Sequence, residues 1–328
     1  MTDWNRLADR SLAGDALSRG DALAVLESTE NELLSVLHAA FRVRHHYHGY
    51  DVRIHVLKNA KSGLCPEDCA FCSQSVKFET GVDRYQLRSV DELVAGARDA
   101  AAMGAVKYCM VTSTRGPSER DLDTICEAVR QIKTELNINV CTSLGLLKEG
   151  QAERLAAAGV TRFNHNLESS RAHFPEICST HSYDDRIATV RAAKAAGMEA
   201  CCGGIMGMGE TLEDRVQLAF ELRELEVESI PVNFLDPRPG TPLGDTPRLS
   251  PQECLRALAM FRLVNPSRDI RVAGGREVNL RHLQPLALYP ANSLFCNGYL
   301  TTPGQGPEAD LRMIADLGFR VADLVAAD

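Results

Sequence analysis

The sequence predicts an α/β protein folded as a (β/α)8 barrel of the TIM type with an N-terminal helical extension. Three observations predict it. From residue 51 onward, short β-rich runs alternate with longer amphipathic ones, the pattern of a parallel sheet joined by crossover helices. Five of the amphipathic runs open on a Ser or Thr with an acid three residues later, a pairing that satisfies backbone donors left free at a helix start. These are Ser89 with Glu92, Ser118 with Asp121, Ser182 with Asp185, Thr211 with Asp214, and Ser250 with Glu253. No glycine fingerprint of an open dinucleotide-binding sheet accompanies the alternation, so a closed barrel is favoured.

Residues 5 to 44 carry helical apolar spacing, as in Leu33, Leu34, Leu37 and Phe41, and residues 1–50 are read as an extension that caps the barrel or forms an interface. His45, His46 and His48 follow at a helix end and read as a surface cluster without a role. Residues 51–328 are read as the barrel with a closing segment after Leu300. Its eight strands are expected near Val52, Val106, Ile138, Thr161, Glu199, Ile230, Ile270 and Ser293. Between them lie runs such as Leu122, Ile125, Val129, Ile132 and Leu136, whose spacing makes one apolar stripe on a helix. In a closed barrel the functional residues gather at the C-terminal ends of the strands and in the loops that follow.

With 328 residues, 45% hydrophobic and 24% charged, the chain has ample core for such a barrel and the composition of a soluble globular protein. A net charge of −8 without any basic run excludes an obvious nucleic-acid partner. No apolar run approaches the length of a membrane span, and the polar N-terminus lacks the regions of a signal peptide, so no membrane partner and a cytoplasmic location are expected. Eleven cysteines in a reducing compartment point to metal or catalytic use rather than disulfides.

Three of those cysteines lie in the stretch CPEDCAFC: Cys65, Cys69 and Cys72, in the loop after the first strand. A structural zinc site wants four closed ligands, usually as two separated pairs, and this stretch supplies three. A [4Fe–4S] cluster takes one thiolate per iron, so three cysteines on a tight loop leave one iron open for another ligand. With Phe71 before the last Cys, the motif resembles the signature of the radical S-adenosylmethionine (SAM) superfamily. The resemblance implies that the open iron chelates SAM and that an electron from the cluster cleaves it to a 5′-deoxyadenosyl radical.

Barrel lumens are usually filled by Val, Ile and Leu. Several strands here depart from that, with Cys109 in YCMVTS, Cys141 in VCTSLG, Cys201 and Cys202 in EACCGGI, and Arg271 in IRVAGG. Three thiols and a guanidinium on one lumen would suit a second iron–sulfur cluster, since thiolates bind iron well and the cation offsets their charge. Buried structural cysteines are the competing reading. Cys201 and Cys202 are neighbours, so on a strand only one can face the lumen.

From about residue 50 to the end, the chain resembles the biotin synthase family almost motif by motif. The matching pieces are KSGLCPEDCAFCSQS, KYCMVTSTRGPSERD, NVCTSLG, FNHNLE, ACCGGIMGMGET, IPVNFLDPRPGTPL, RVAGGRE and YLTTPG, in order along all eight βα units. The resemblance implies a [2Fe–2S] cluster on Cys109, Cys141, Cys201 and Arg271, with electrostatic support as the other role open to Arg271. It implies hydrogen abstraction from two unactivated carbons of dethiobiotin and their bridging by one sulfur atom from that cluster. It sets Asn166 and Glu168 near the SAM ribose, where many members carry Asp at the second position, and Arg186 against the SAM carboxylate. Asn233 is implied at the ureido ring of the substrate, with Asn166 shared, and Lys61, Thr301 and Thr302 near its tail or carboxylate. A homodimer and a flavodoxin or ferredoxin electron donor are implied as well.

Cys126, Cys178 and Cys254 fall outside these motifs and read as structural, while Cys202 and Cys296 stay open as ligands of a differently composed cluster. Two other functions compete: a related radical SAM enzyme of the hydrogenase-maturation or methylornithine-forming kind, and a non-catalytic zinc- or iron-binding regulator. The set Cys109, Cys141, Cys201 and Arg271 argues against the first, and the absence of a basic surface or second module against the second.

Overall fold

The computed structural model describes residues 2–323. Three helices come first: α1 (Trp4–Leu12), α2 (Arg19–Leu26) and α3 (Leu33–His48). Their inner faces, including Trp4, Leu7, Val25, Val36 and Val43, join the same apolar core as the rest of the molecule. His45 and His46 are exposed as expected, but His48 turns inward, with Nε2 3.2 Å from the Arg268 carbonyl.

The strands are β1 (Asp51–Lys61), β2 (Lys107–Thr112), β3 (Asn139–Ser143), β4 (Arg162–Asn164), β5 (Glu199–Cys201), β6 (Gly204–Met206), β7 (Ser229–Phe234), β8 (Asp269–Val272) and β9 (Ser293–Phe295). All pairings are parallel and run in sequence order, and β9 pairs back with β1, so the sheet is a closed barrel of eight staves. The fifth stave, expected as one strand from Glu199, is two: β5 ends at Cys201 and β6 resumes at Gly204. A short β10 (Arg320–Val321), unforeseen in the sequence, pairs with the start of β1 outside the barrel.

The crossover helices are α4 (Val90–Ala102), α5 (Glu119–Glu135), α6 (Gln151–Ala158), the single turn α7 (Phe174–Ile177), α8 (Tyr183–Ala195), α9 (Leu212–Glu224) and α10 (Pro251–Val264), with α11 (Arg276–Leu280) and α12 (Pro307–Asp316) closing the chain. Four of the five expected caps form reciprocal boxes, at Ser89, Ser182, Thr211 and Ser250. Ser118 accepts from the Asp121 amide, but the Asp121 carboxylate is drawn to Lys61 Nζ at 2.8 Å instead of reaching back. Helix α10 is buried at every residue from Cys254 to Val264, because α1, α2 and α3 cover the face that a barrel helix usually shows to water. This explains why the stretch LRALAMFRLV is apolar on every side except at Arg256 and Arg262. Among the described residues, no helix is long and apolar enough to cross a membrane.

Candidate active site

The β1 strand hands the chain to an irregular loop that carries Cys65, Cys69 and Cys72. Backbone bonds close it locally: the Cys72 amide donates to Cys69 O at 2.9 Å, and the Val76 amide to Cys65 O at 2.8 Å. The two acids between the first thiols anchor it to the α7–α8 connection. Asp68 accepts from the Ser179 and Thr180 amides at 3.0 and 3.2 Å, and Glu67 meets Thr180, His181 and Arg115. All three thiols face one cavity of about 400 Å³ in the barrel mouth. Burial pushes the Cys65 thiol up to about 11 and raises Cys72 as well.

Deeper in the same cavity are Cys109, Cys141, Cys201 and Arg271. Strand register brings them together: Cys109 is paired directly with Cys141, and their sulfurs lie 3.2 Å apart. That contact raises the Cys109 thiol and lowers Cys141. Arg271 points Nη1 at Cys201 Sγ, 3.5 Å away, and its Nε has no protein partner although buried. Cys202 is fully buried in the apolar core and does not line the cavity, which leaves Cys201 as the lumen-facing thiol of the pair. Cys296 likewise packs in the core.

Beneath this set lies a charged layer that reading the sequence did not single out. Asp269 accepts from Arg162, Arg271, Ser229, Asn292 and Ser293 at 2.6–3.3 Å, and Glu199 pairs with Arg162 at 2.7 Å and Lys107 at 3.0 Å. Burial alone would raise the Asp269 carboxyl, but the guanidinium groups of Arg271 and Arg162 hold it well below the usual range. Burial keeps His55 neutral, where it meets Arg271 Nη2 at 3.3 Å. The signal was there: Lys107, Asn139, Glu199 and Asp269 each stand two residues before Cys109, Cys141, Cys201 and Arg271, hence on the same face of their strands. Three cations against two carboxylates leave the layer one positive charge, set against the thiolates above it.

The other expected site residues are distributed unevenly. Asn166, Glu168, Arg186, Asn233, Thr301 and Thr302 line the cavity, and Lys61 does not, its ammonium being paired with Asp121. Glu168 adopts the left-handed conformation at φ 69, uncommon outside glycine, and burial raises its carboxyl. Arg186 Nη1 donates to Asn166 O at 2.6 Å and lies 3.7 Å from Glu168, while its buried Nε is unpartnered. Asn233 holds the site's floor: Oδ1 accepts from the Gly274 amide at 2.9 Å and Nδ2 donates to Gly204 O at 3.1 Å. Cys178, read from sequence as structural, lies beside the loop, with Sγ 3.8 Å from Cys69 Sγ. The fold brings these two segments together across 109 residues, a proximity no local spacing announces.

Residues 60–222 match the Radical SAM superfamily, and residues 231–320 match the Biotin and Thiamin Synthesis associated domain. Over 319 residues the chain is 58% identical to the biotin synthase of Salinibacter ruber, covering 97% of this chain and 89% of that protein. It is 52% identical over 318 residues to that of Rhodopirellula baltica, at 97% and 89% coverage. The chain belongs to the biotin synthase family. Among solved structures, methylornithine synthase superposes with a TM-score of 0.85 at 20% identity, over 97% of this chain and 98% of that one. The hydrogenase maturase of Carboxydothermus hydrogenoformans gives 0.82 at 17%, over 96% and 78%. Both share the fold. The second family match opens at β7, and its strands complete the same barrel.

The family uses SAM, a [4Fe–4S] cluster and a [2Fe–2S] cluster, and the donor sets fit both. Three thiols of one short loop suit a cubane with an open iron. Three lumen thiols beside an unpartnered guanidinium edge suit a second, smaller cluster. The free Nε of Arg186 stands where an anionic ligand would complete it.

Proposed function

We propose that this chain converts dethiobiotin to biotin by SAM-dependent radical insertion of sulfur. The observation that carries the reading is that one cavity is lined by both thiol sets at once. A hydrogen-abstracting centre and a sulfur source must reach the same small substrate, and a shared lumen gives that proximity while limiting the access of water. Cys65, Cys69 and Cys72 would hold the [4Fe–4S] cluster, and Cys109, Cys141, Cys201 and Arg271 the [2Fe–2S] cluster. When bound, these groups and SAM supply hydrogen abstraction and transferable sulfide.

The remaining residues bind and orient. Arg186 offers its spare Nε to the SAM carboxylate, and Asn166 and Glu168 meet the ribose hydroxyls. Asn233 uses one amide hydrogen and one lone pair on the backbone, so a donor and an acceptor remain for the ureido ring. Thr301 and Thr302 receive the substrate tail, and Lys61 joins them if its ammonium exchanges Asp121 for the substrate carboxylate. Eleven free cysteines suit a reducing cytoplasm, where flavodoxin or ferredoxin would donate electrons to a homodimer.

The test is anaerobic incubation of the cluster-reconstituted chain with SAM, a strong reductant and dethiobiotin, with 5′-deoxyadenosine and biotin followed by mass spectrometry. Both products are expected, with biotin limited to a single turnover per chain when no external sulfur is given. Deoxyadenosine without biotin or a thiolated intermediate would keep the radical chemistry and overturn the substrate.

A further inference from the structure

Next to the cluster loop, Cys69 also belongs to a second group of metal-ligating side chains, whose other two members do not line the cavity and have no part in the function above. Cys69, Cys178 and His181 are each 9% exposed or less, and one donor atom from each lies within 4.8 Å of the others. Two thiolates on a tetrahedral zinc, at about 2.3 Å each, stand about 3.8 Å apart. The Cys69 and Cys178 sulfurs are 3.8 Å apart. His181 Nδ1 is 3.3 Å from the Cys178 sulfur, close to the sulfur–nitrogen edge of the same tetrahedron, with Nε2 at 3.9 Å, and Nδ1 also meets the buried carboxylate of Glu67. Asp68 extends the support, with Oδ1 3.2 Å from Cys178 Sγ and bonded to the Ser179 and Thr180 amides.

We propose that Cys69, Cys178 and His181 form a mononuclear site for a divalent transition-metal cation such as zinc, with water as the fourth ligand, used when Cys69 is not bound to the [4Fe–4S] cluster. Two thiolates and an imidazole match the softness of zinc and ferrous iron and exclude magnesium and calcium, which take oxygen donors. Because Cys69 belongs to both sets, cation and cluster compete. Zinc held here withholds the second thiol of the loop and delays activation of the enzyme, whereas cluster assembly releases the cation. Only the sharing of Cys69 rests on the function proposed above, and metal binding is read separately from biotin formation.

The experiment is titration of the full-length, cluster-free chain with zinc against a metallochromic competitor, and with cobalt(II) as a spectroscopic probe. Wild type, Cys65→Ala and Cys72→Ala are expected to take up one equivalent, with the visible absorption of tetrahedral thiolate cobalt. Cys178→Ala and His181→Ala are expected to bind it more weakly by at least the roughly 10–100-fold that loss of an outer-shell partner alone costs. Both variants keep Cys65, Cys69 and Cys72, so anaerobic reconstitution of their brown cluster separates loss of this site from loss of the fold. Zinc added first should slow reconstitution in wild type and leave Cys178→Ala unaffected. Binding abolished by Cys65→Ala or Cys72→Ala but retained in Cys178→Ala would put the cation on the loop thiols and overturn the proposal, as would no stoichiometric uptake by wild type.

Discussion

Asp269 takes hydrogen bonds from five donors, two of them guanidinium groups that have no other carboxylate as deep in the lumen. Removing its charge leaves Arg162 and Arg271 buried and under-compensated, and breaking a buried pair in this way costs about 3–5 kcal/mol, far more than a surface ion pair returns. The Asp269→Asn chain should therefore lose about that much stability in urea denaturation, and with Arg271 free to turn away from Cys201 it should incorporate the second cluster poorly, as read by absorbance after reconstitution. The thiol ligand itself is tested by a pair of changes: Cys201→Ala should lose the second cluster and biotin formation, while Cys202→Ala, whose thiol sits in the apolar core, should keep both. At this scale the thiols and the guanidinium that line the cavity were legible because each stands in a short motif or breaks an apolar strand. Their charged supports were legible only through the two-residue period, and Cys178 not at all, since its neighbour Cys69 lies 109 positions away and only the closed barrel joins them.

Among the elements, the fifth stave is the one the sequence reading misjudged, and the cause is steric. A Cβ on Gly203 would stand 2.0 Å from the Pro231 carbonyl oxygen, and one on Gly204 2.5 Å from that of Glu168. The chain can pass so close to its neighbours only where side chains are absent, and there the strand breaks so that the Gly203 amide donates to Asn166 Oδ1 at 3.2 Å. ACCGGI thus reads as a continuous strand by composition, while its two glycines mark the close approach that interrupts it. The Gly203→Ala chain must push the Pro231 backbone away, which should destabilise it by about 3 kcal/mol or more. The same shift should weaken SAM binding through Asn166, so equilibrium binding of SAM to the reconstituted variant separates this local effect from a uniform loss of stability. The remaining staves and the four reciprocal caps followed the sequence because each is specified within a dozen residues. The short strand Arg320–Val321 did not, since only its pairing with β1 makes it a strand.

In the whole molecule, the N-terminal helices and the barrel share one core, and histidines buried at that junction and in the lumen couple its stability to pH. Burial, reinforced by Arg262, lowers His48 from 6.5 to about 3, and burial likewise carries His55 and His165 well below 6.5. All three are neutral in the folded chain near neutrality. As pH falls below 6.5 the unfolded chain takes up protons that the folded chain refuses, so their contribution is complete above 6.5 and is lost on acidification, at up to about 1.4 kcal/mol per pH unit for each group. Glu168, whose carboxyl is raised by burial, works in the opposite sense, but it is one group against three. The paired carboxylates such as Asp269 and Glu199 are lowered and begin to cost stability only below their unfolded values, 3.8 for Asp and 4.5 for Glu. Between pH 6.5 and 4.5 the three histidines therefore steepen the loss of stability on acidification. The urea midpoint should fall steadily over that interval, and His48→Gln, which keeps a polar group between Arg262 and the Arg268 carbonyl without a titrating ring, should fall less steeply even if it starts from a lower stability at pH 7.5. An unchanged slope in that variant would mean that His48 titrates normally and that the junction between extension and barrel is wetter than its packing implies.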